Sequence, residues 1–301
     1  MPASLQAMDP NFLESDFMRF RALASTALLI VPLAACAGGT AAPGEMSGPP
    51  ALAYSVPPGS AATYVQGDTV QMEMDMGGQM MDVTVAMAAT LDMAYAGSGD
   101  ALEVTATYRD FEITASNPMA GTQRGDESEI DGPIVFTIDR KGAGTLVSGP
   151  TIEGVAAQAV SPGSMAAGFF PRLPGRAVTV GESWTDTVTI STQEEAGTNQ
   201  GTTVYNFTAV GDSVIGGRTL LKVSFTMDDE RTSQMSQQGA DITQDVAGQG
   251  DGFYLWDSSR NLIVEQYAEA RLRGTMEVSI APMPFGLDMV VVQHLKLAEG
   301  G

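Results

Sequence analysis

This 301-residue chain has one histidine, one cysteine and eighteen methionines, and those counts set narrow limits on the chemistry it can do. Cys–His catalysis would need Cys36 and His294 together, and a multi-histidine metal site cannot be built from His294 alone. A Ser-His-Asp triad would have to use His294, and no G-x-S-x-G elbow is present. His294 stands in Val290-Val291-Val292-Gln293-His294-Leu295-Lys296 and is expected on the surface near a strand end. Met72, Met74, Met76, Met80, Met81, Met87 and Met93 crowd one expected hairpin. Alternation places Met72, Met74 and Met76 on one strand face. Thioethers suit a soft ion such as Cu(I), but no His or Cys lies beside them to tighten such a site. The same period serves a core-facing strand, with Met as flexible apolar filler. These three residues are therefore expected as apolar lining, together with Phe169 and Phe170. The acidic run Asp126-Glu127-Ser128-Glu129-Ile130-Asp131 departs from the EF-hand pattern at Ser128 and Ile130 and reads as a solvated loop. Carboxylate pairs for glycoside hydrolysis are uninformative among so many acids. No catalytic residue, metal ligand or cofactor is expected.

Cys36 has a different context. Arg19 and Arg21 precede an apolar run from Ala22 to Val31, which ends in Leu33-Ala34-Ala35-Cys36. The run is too short for a helix spanning a ~30 Å hydrocarbon core. The segment resembles a bacterial lipoprotein signal peptide with its lipobox. The resemblance implies cleavage before Cys36, lipidation of Cys36, export, and anchoring in a membrane. The residues after Cys36 are Ala37 and Gly38, with no Asp at the next position. In such lipoproteins this implies the outer membrane, facing the periplasm. Residues 1–17 are acidic and polar, unlike a signal peptide. They are expected to be a start-site artefact, with Met18 as the start and residues 18–35 as the signal peptide.

With a single cysteine no internal disulfide can form, so the fold must rest on its own core. The chain carries 36 Asp+Glu against 15 Lys+Arg, a net charge of −21. That balance repels nucleic acid and anionic headgroups. Acyl chains would then have to anchor the protein without basic help.

Residues 36–60 combine Cys36 with a Gly/Pro/Ala-rich stretch expected to be a tether. Residues 61–301 are expected as one β-rich domain. Short runs rich in Val, Thr, Tyr and Phe alternate with Gly, Asp and Ser. Strands are expected at 64–76, 80–91, 101–115, 134–140, 144–148, 183–192, 200–210 and 218–231. Further strands are expected at 236–247, 251–257, 261–271, 273–281 and 287–298. Turns are expected at Gly77-Gly78, Gly97-Ser98-Gly99, Lys141-Gly142, Gly211-Asp212, Gly216-Gly217 and Ser258-Ser259. Only 149–170 hints at helix, which Pro162 and four glycines keep short.

The chain also repeats itself. Gly67-Asp68-Thr69-Val70 parallels Gly181-Glu182-Ser183-Trp184. Val85, Leu91, Gly97, Leu102, Val104 and Thr107 parallel Val204, Val210, Gly216, Leu221, Val223 and Thr226. Phe136, Ile138 and Asp139 parallel Tyr254, Trp256 and Asp257. The repeat halves span about 64–148 and 178–271. The expected fold is all-β and mainly antiparallel: a curved sheet or open barrel of two internally similar halves, with at most one or two short helices.

The phrase Leu173-Pro174 followed by Val178-Thr179-Val180-Gly181-Glu182-Ser183-Trp184 is similar to one in uncharacterised β-rich envelope lipoproteins. Gly is expected to supply the turn, the acid to cap it, and Trp184 to start a strand as a core anchor. The expected function is that of an anchored envelope lipoprotein with a non-enzymatic binding or structural role. An alternative is a carrier of an apolar ligand or lipid in a curved half-barrel, an architecture similar to that of the Lol-system lipoprotein carriers. Copper handling by methionines and hydrolysis rank below these. The expected partners are the membrane, through the lipid anchor, and an apolar ligand or envelope protein, with no nucleic acid.

Overall fold

The computed structural model describes residues 51–298 apart from 76, 98–100, 119–120, 195–196, 238–239 and 280–282. The expected signal peptide, Cys36 and Met76 lie outside the described residues. The first meander runs through β1 (Ala61–Asp75), β2 (Met80–Ala96) and β3 (Ala101–Asn117), and β4 (Gly121–Asp126) folds back on β3. Then come β5 (Ile130–Asp131), β6 (Ile134–Asp139), β7 (Gly144–Ser148) and β8 (Thr151–Ile152), followed by one helix, α1 (Pro162–Gly168). The second meander is β9 (Ser183–Glu194), β10 (Gly197–Ile215), β11 (Arg218–Gln237), β12 (Ala240–Asp257), β13 (Leu262–Val278) and β14 (Phe285–Leu297).

All but β5 and β8 join one antiparallel sheet, ordered β7-β6-β3-β2-β1-β14-β13-β12-β11-β10-β9. The fold is therefore all-β, a curved half-barrel with one helix. The first strand of one meander pairs with the last strand of the other, from Tyr64↔Leu297 to Asp75↔Gly286. The two free edges are β7 and β9. Helix α1 packs against both. It starts at Ser161, whose hydroxyl accepts from Ser164 N at 3.2 Å, and Pro162 fills its first turn. Gly144 lets β7 approach it, since a Cβ there would sit 1.8 Å from Ala166 O.

Alternation directs one face of every long strand into the concavity. One end of that concavity is filled with aromatic rings. Tyr54 meets Trp256 edge-on at 5.3 Å and Phe170 at 5.1 Å, and Tyr64 meets Phe169 at 5.8 Å. Tyr64 Oη donates to Ile263 O at 3.1 Å. Near the other end β1 presents Met72 and Met74, opposite Val83 and Met81 on β2 and Met289 and Leu287 on β14. Along β2, Ala89, Leu91, Met93 and Tyr95 are buried, whereas Met81, Val83, Val85 and Met87 are only half-buried. On β2 the concave face thus becomes more accessible toward the methionine end, while Met74, Leu287 and Met289 on β1 and β14 stay buried.

The two aromatic-x-apolar-Asp phrases fold alike. Phe136 and Tyr254 are fully buried. Asp139 Oδ1 accepts from Lys141 N and Ala143 N, each at 2.8 Å, and Asp257 Oδ1 accepts from Ser259 N at 2.9 Å.

Several boundaries differ from the sequence reading. The tether expected through Ser60 ends earlier, because Leu52, Ala53, Tyr54 and Val56 are buried. Leu52 N donates to Arg176 O and Tyr54 N to Arg140 O, both at 2.9 Å. Residues 240–257, expected as parts of two strands, form β12, and 262–278, likewise expected as two, form β13, while 236 and 237 end β11. The glycines in the expected gap at 248–250 make room instead: a Cβ on Gly248 would lie 1.9 Å from Arg271 O, and one on Gly250 2.5 Å from Met227 Cε. Gly211-Asp212 is a bulge in β10, with a register shift between Ala209 and Gly211.

Tyr54 is the sharpest test of where the fold begins. Tyr54→Ala removes two edge-on ring contacts and the hydrogen bond from Tyr54 Oη to Pro171 O at 3.0 Å. Urea denaturation should show a loss of about 3–5 kcal/mol, as for other buried aromatics cut to alanine. A neutral result would return residues 51–60 to the tether.

Candidate functional site

Between the aromatic end and the methionine end lies a cavity of about 220 Å³. Its floor comes from neighbouring strands: Gln66 and Asp68 of β1, Gln293 of β14 and Gln266 of β13. Gln66 and Gln266 both pair in register with Leu295, and Asp68 pairs with Gln293, so two adjacent rows carry polar side chains inward. Tyr108 of β3 and Tyr205 of β10 form its sides, and Met165 and Phe169 lie over it. Tyr108 Oη reaches Met165 Sδ at 3.9 Å.

Asp68 is the centre of this site. Gln66 Nε2 donates to its Oδ2 at 2.7 Å, while its Oδ1 is buried without a hydrogen-bond partner among the described residues. Burial pushes the carboxyl up from 3.8 to about 6, and the Gln66 hydrogen bond offsets part of that rise. Burial also raises the Tyr108 phenol, and the Asp68 charge adds to it. Gln266 Oε1 is a second buried acceptor without a partner. Four other unpartnered polar atoms, Arg172 Nη1, Tyr254 Oη, Trp256 Nε1 and Arg260 Nη2, are all able to donate. The cavity therefore differs in collecting unmet acceptors. Arg231, also in its lining, is already engaged: its Nε lies 2.8 Å from Asp229 Oδ2, and Thr203 Oγ1 donates to Asp229 Oδ1 at 2.7 Å.

The expected residues divide among these parts. Phe169 lines the cavity, while Phe170 belongs to the aromatic end. Met72 and Met74 lie on the same concave face, outside the cavity lining. The sequence reading passed over Gln66, Asp68, Tyr108, Tyr205, Gln266 and Gln293. Gly67 and Asp68 lie within β1, inside the strand expected at 64–76. The parallel phrase does turn: Gly181 has φ 88°, Thr179 N donates to Glu182 Oε2 at 3.0 Å, and Arg176 pairs with Glu182. The available signal was the alternation Tyr64-Gln66-Asp68-Val70, which sets polar residues on the face that Tyr64 and Val70 define.

His294 turns its ring to the convex side, where Nε2 lies 3.0 Å from Glu265 Oε1, and that bond lowers the Glu265 carboxyl. The chain's single histidine is thus committed away from Asp68, and the geometry suits holding a small polar group rather than relaying a proton through imidazole. Among the described residues, no group of three or more His, Cys, Asp or Glu side chains is placed to hold a metal. Glu129, in the expected acidic loop, accepts from Ala156 N at 2.8 Å and so fastens the chain leading to α1.

No family model and no curated protein matches the sequence. Among solved structures it is similar to a hypothetical lipoprotein, YmcC, from Escherichia coli, at 13% identity and TM-score 0.20 over 74% of this chain and 85% of that one. It is similar to Salmonella typhi OmpF in complex with daunomycin at 7% identity and TM-score 0.22, over 78% and 98% of the two chains. A DUF1329 family protein from Desulfovibrio piger matches at 10% identity and TM-score 0.16, over 80% and 88%. Likenesses this slight carry no argument about the chain.

Asp68 makes a pH-dependent contribution whose sign is fixed. Its folded-state pKa of about 6 exceeds the unfolded value of 3.8. Between these values the folded chain holds a proton that the unfolded chain has released, so stability falls as pH rises through the window. The displacement corresponds to at most about 3 kcal/mol. Tyr108, Tyr205 and Arg231 are the other titratable side chains of the lining; His294 borders it from β14 with its ring held by Glu265. Asp68→Asn should therefore stabilise the chain toward urea at about pH 7.5, by up to about 3 kcal/mol, and the gain should shrink toward pH ~4. A variant less stable than the parent at pH ~7.5 would show that the carboxylate is satisfied.

Proposed function

We propose that the chain is an envelope lipoprotein, anchored through Cys36, that works by binding an amphiphilic or apolar ligand on its concave face and not by catalysis. The observation that carries this reading is the pair of unmet acceptors in one cavity, beside a half-buried apolar stretch of the concave face. A purely structural barrel gains nothing from a desolvated, half-satisfied carboxylate, whose burial costs stability. The cavity is smaller than the roughly 300–1,000 Å³ usual for whole ligands, so it suits the end of a longer molecule. Val70, Met72, Met81, Val83, Val85 and Met87 continue the concave face toward the methionine end and are packed against the core without being fully buried. They suit an apolar remainder, since methionine adapts to varied shapes.

The anchoring rests on the Leu33-Ala34-Ala35-Cys36 lipobox, and the absence of Asp after Cys36 favours the outer membrane. Two measurements test the proposal. Cys36→Ser should move the protein from the membrane fraction to the soluble fraction, and unchanged membrane association would refute the anchor. Native mass spectrometry of the chain released from mild detergent should find a bound amphiphile. Its mass should disappear with Met87→Trp, which fills the space between cavity and concave face. A chain that carries no adduct and takes up no added amphiphile would leave only a structural role.

A further inference from the structure

We propose that the cavity around Asp68 receives a primary ammonium group, so that the ligand on the concave face is an amine carrying an apolar chain. This rests on the binding reading above and adds the chemistry of the head. Asp68 Oδ1 and Gln266 Oε1 line one cavity and neither has a hydrogen-bond partner. Two unmet acceptors call for at least two donors on one ligand. An ammonium supplies three, a hydroxyl one, and a carboxylate none. The charge agrees: Asp68 is the carboxylate left without a cation, because Arg231 is held by Asp229. An anionic head would meet Asp68 with like charge in a desolvated site. The walls agree as well. Tyr108, Tyr205 and Phe169 line the same cavity as the carboxylate, and aromatic rings in one site with an acid are a recurring way to hold an organic cation.

The geometry also limits the size of the head. β1 and β13 flank β14, so Asp68 and Gln266 stand on strands about 10 Å apart, in adjacent inward rows of the register. A cavity of about 220 Å³ accepts an aminomethyl group and a few carbons, while the rest of the chain must leave toward Met87.

The test uses the full lipidated chain in nanodiscs of phosphatidylcholine, with methyl-13C methionine. Met87 and Met165 both line the cavity and report occupancy by NMR. The probes are hexylammonium, 1-hexanol and hexanoate, which share a chain and differ in the head. Hexylammonium should shift both methyl resonances and bind about tenfold or more tighter than hexanol, the low end for a hydrogen bond to a charged group. Asp68→Asn should erase that preference. Dihexanoylphosphatidylethanolamine, compared with its choline counterpart, separates a lipid headgroup from a free amine as the source, and preference for the ethanolamine lipid also supports the inference. Equal binding of hexanol and hexylammonium, or a preference that survives Asp68→Asn, overturns the amine inference and leaves concave-face binding standing. If no probe moves either methionine, both readings fail.

Discussion

An open sheet leaves two unpaired backbone edges, and this fold depends on how the edges at β7 and β9 are covered. The sheet path ends there and does not close on itself. Left bare, such edges invite pairing with other chains. Here α1 packs on both edges, and in the segment that follows it Leu173 N donates to Lys141 O at the β6–β7 turn at 2.9 Å. Tyr54 ties the arrangement together. Its backbone bonds to the β6–β7 turn at Arg140, its hydroxyl to Pro171, and its ring to Trp256 and Phe170. Each contact joins a part of the chain distant in sequence, so none is secured by local geometry alone.

That covering also makes the interior unequal from end to end. Helix α1 is only seven residues long, about 10 Å at the usual rise. The longer strands extend well beyond it. The rings of Phe169 and Phe170 complete the aromatic core beneath the helix, while Val83, Val85 and Met87 lie beyond that filling and stay half-buried. A short cover on long strands therefore leaves a filled aromatic end and, past it on β2, a half-buried apolar stretch. Gln66, Asp68 and Gln266 sit between them, with Asp68 Oδ1 and Gln266 Oε1 buried and the exposed Gln293 beside them.

Much of this was legible in the sequence, and the failures share a cause. Alternation and glycine pairs located the β1–β2 hairpin at Gly77-Gly78 and the β10–β11 hairpin at Gly216-Gly217, because in each the turn chemistry is local. The aromatic-x-apolar-Asp phrases marked the turns after β6 and β12 for the same reason. Glycine misled where its role is tertiary. Gly248 and Gly250 clear space for the Arg271 carbonyl and Met227 on the neighbouring strands, which no local pattern reveals. Strand β4, Gly121-Thr122-Gln123-Arg124-Gly125-Asp126, has no apolar residue to set a period. The Pro- and Ala-rich stretch at 51–60 carries few anchors, and their value depends on partners more than 80 residues away.

Asp68 shows why the candidate site was harder to see than the fold. Its surroundings in sequence, Gly67-Asp68-Thr69, match Gly181-Glu182-Ser183, and the second copy does form a capped turn. The difference is supplied by β14: Gly67 and Asp68 are paired in register with His294 and Gln293, so the backbone is held extended. Extension sends the Asp68 side chain into the concavity instead of back to its own amides. Glu182 finds an arginine and a backbone N–H within six residues, whereas Asp68 finds only Gln66. The same phrase thus gives a satisfied acid at an exposed turn and an unsatisfied one inside a strand. What separates them is strand pairing, and with it the free energy that a ligand with suitable donors could recover.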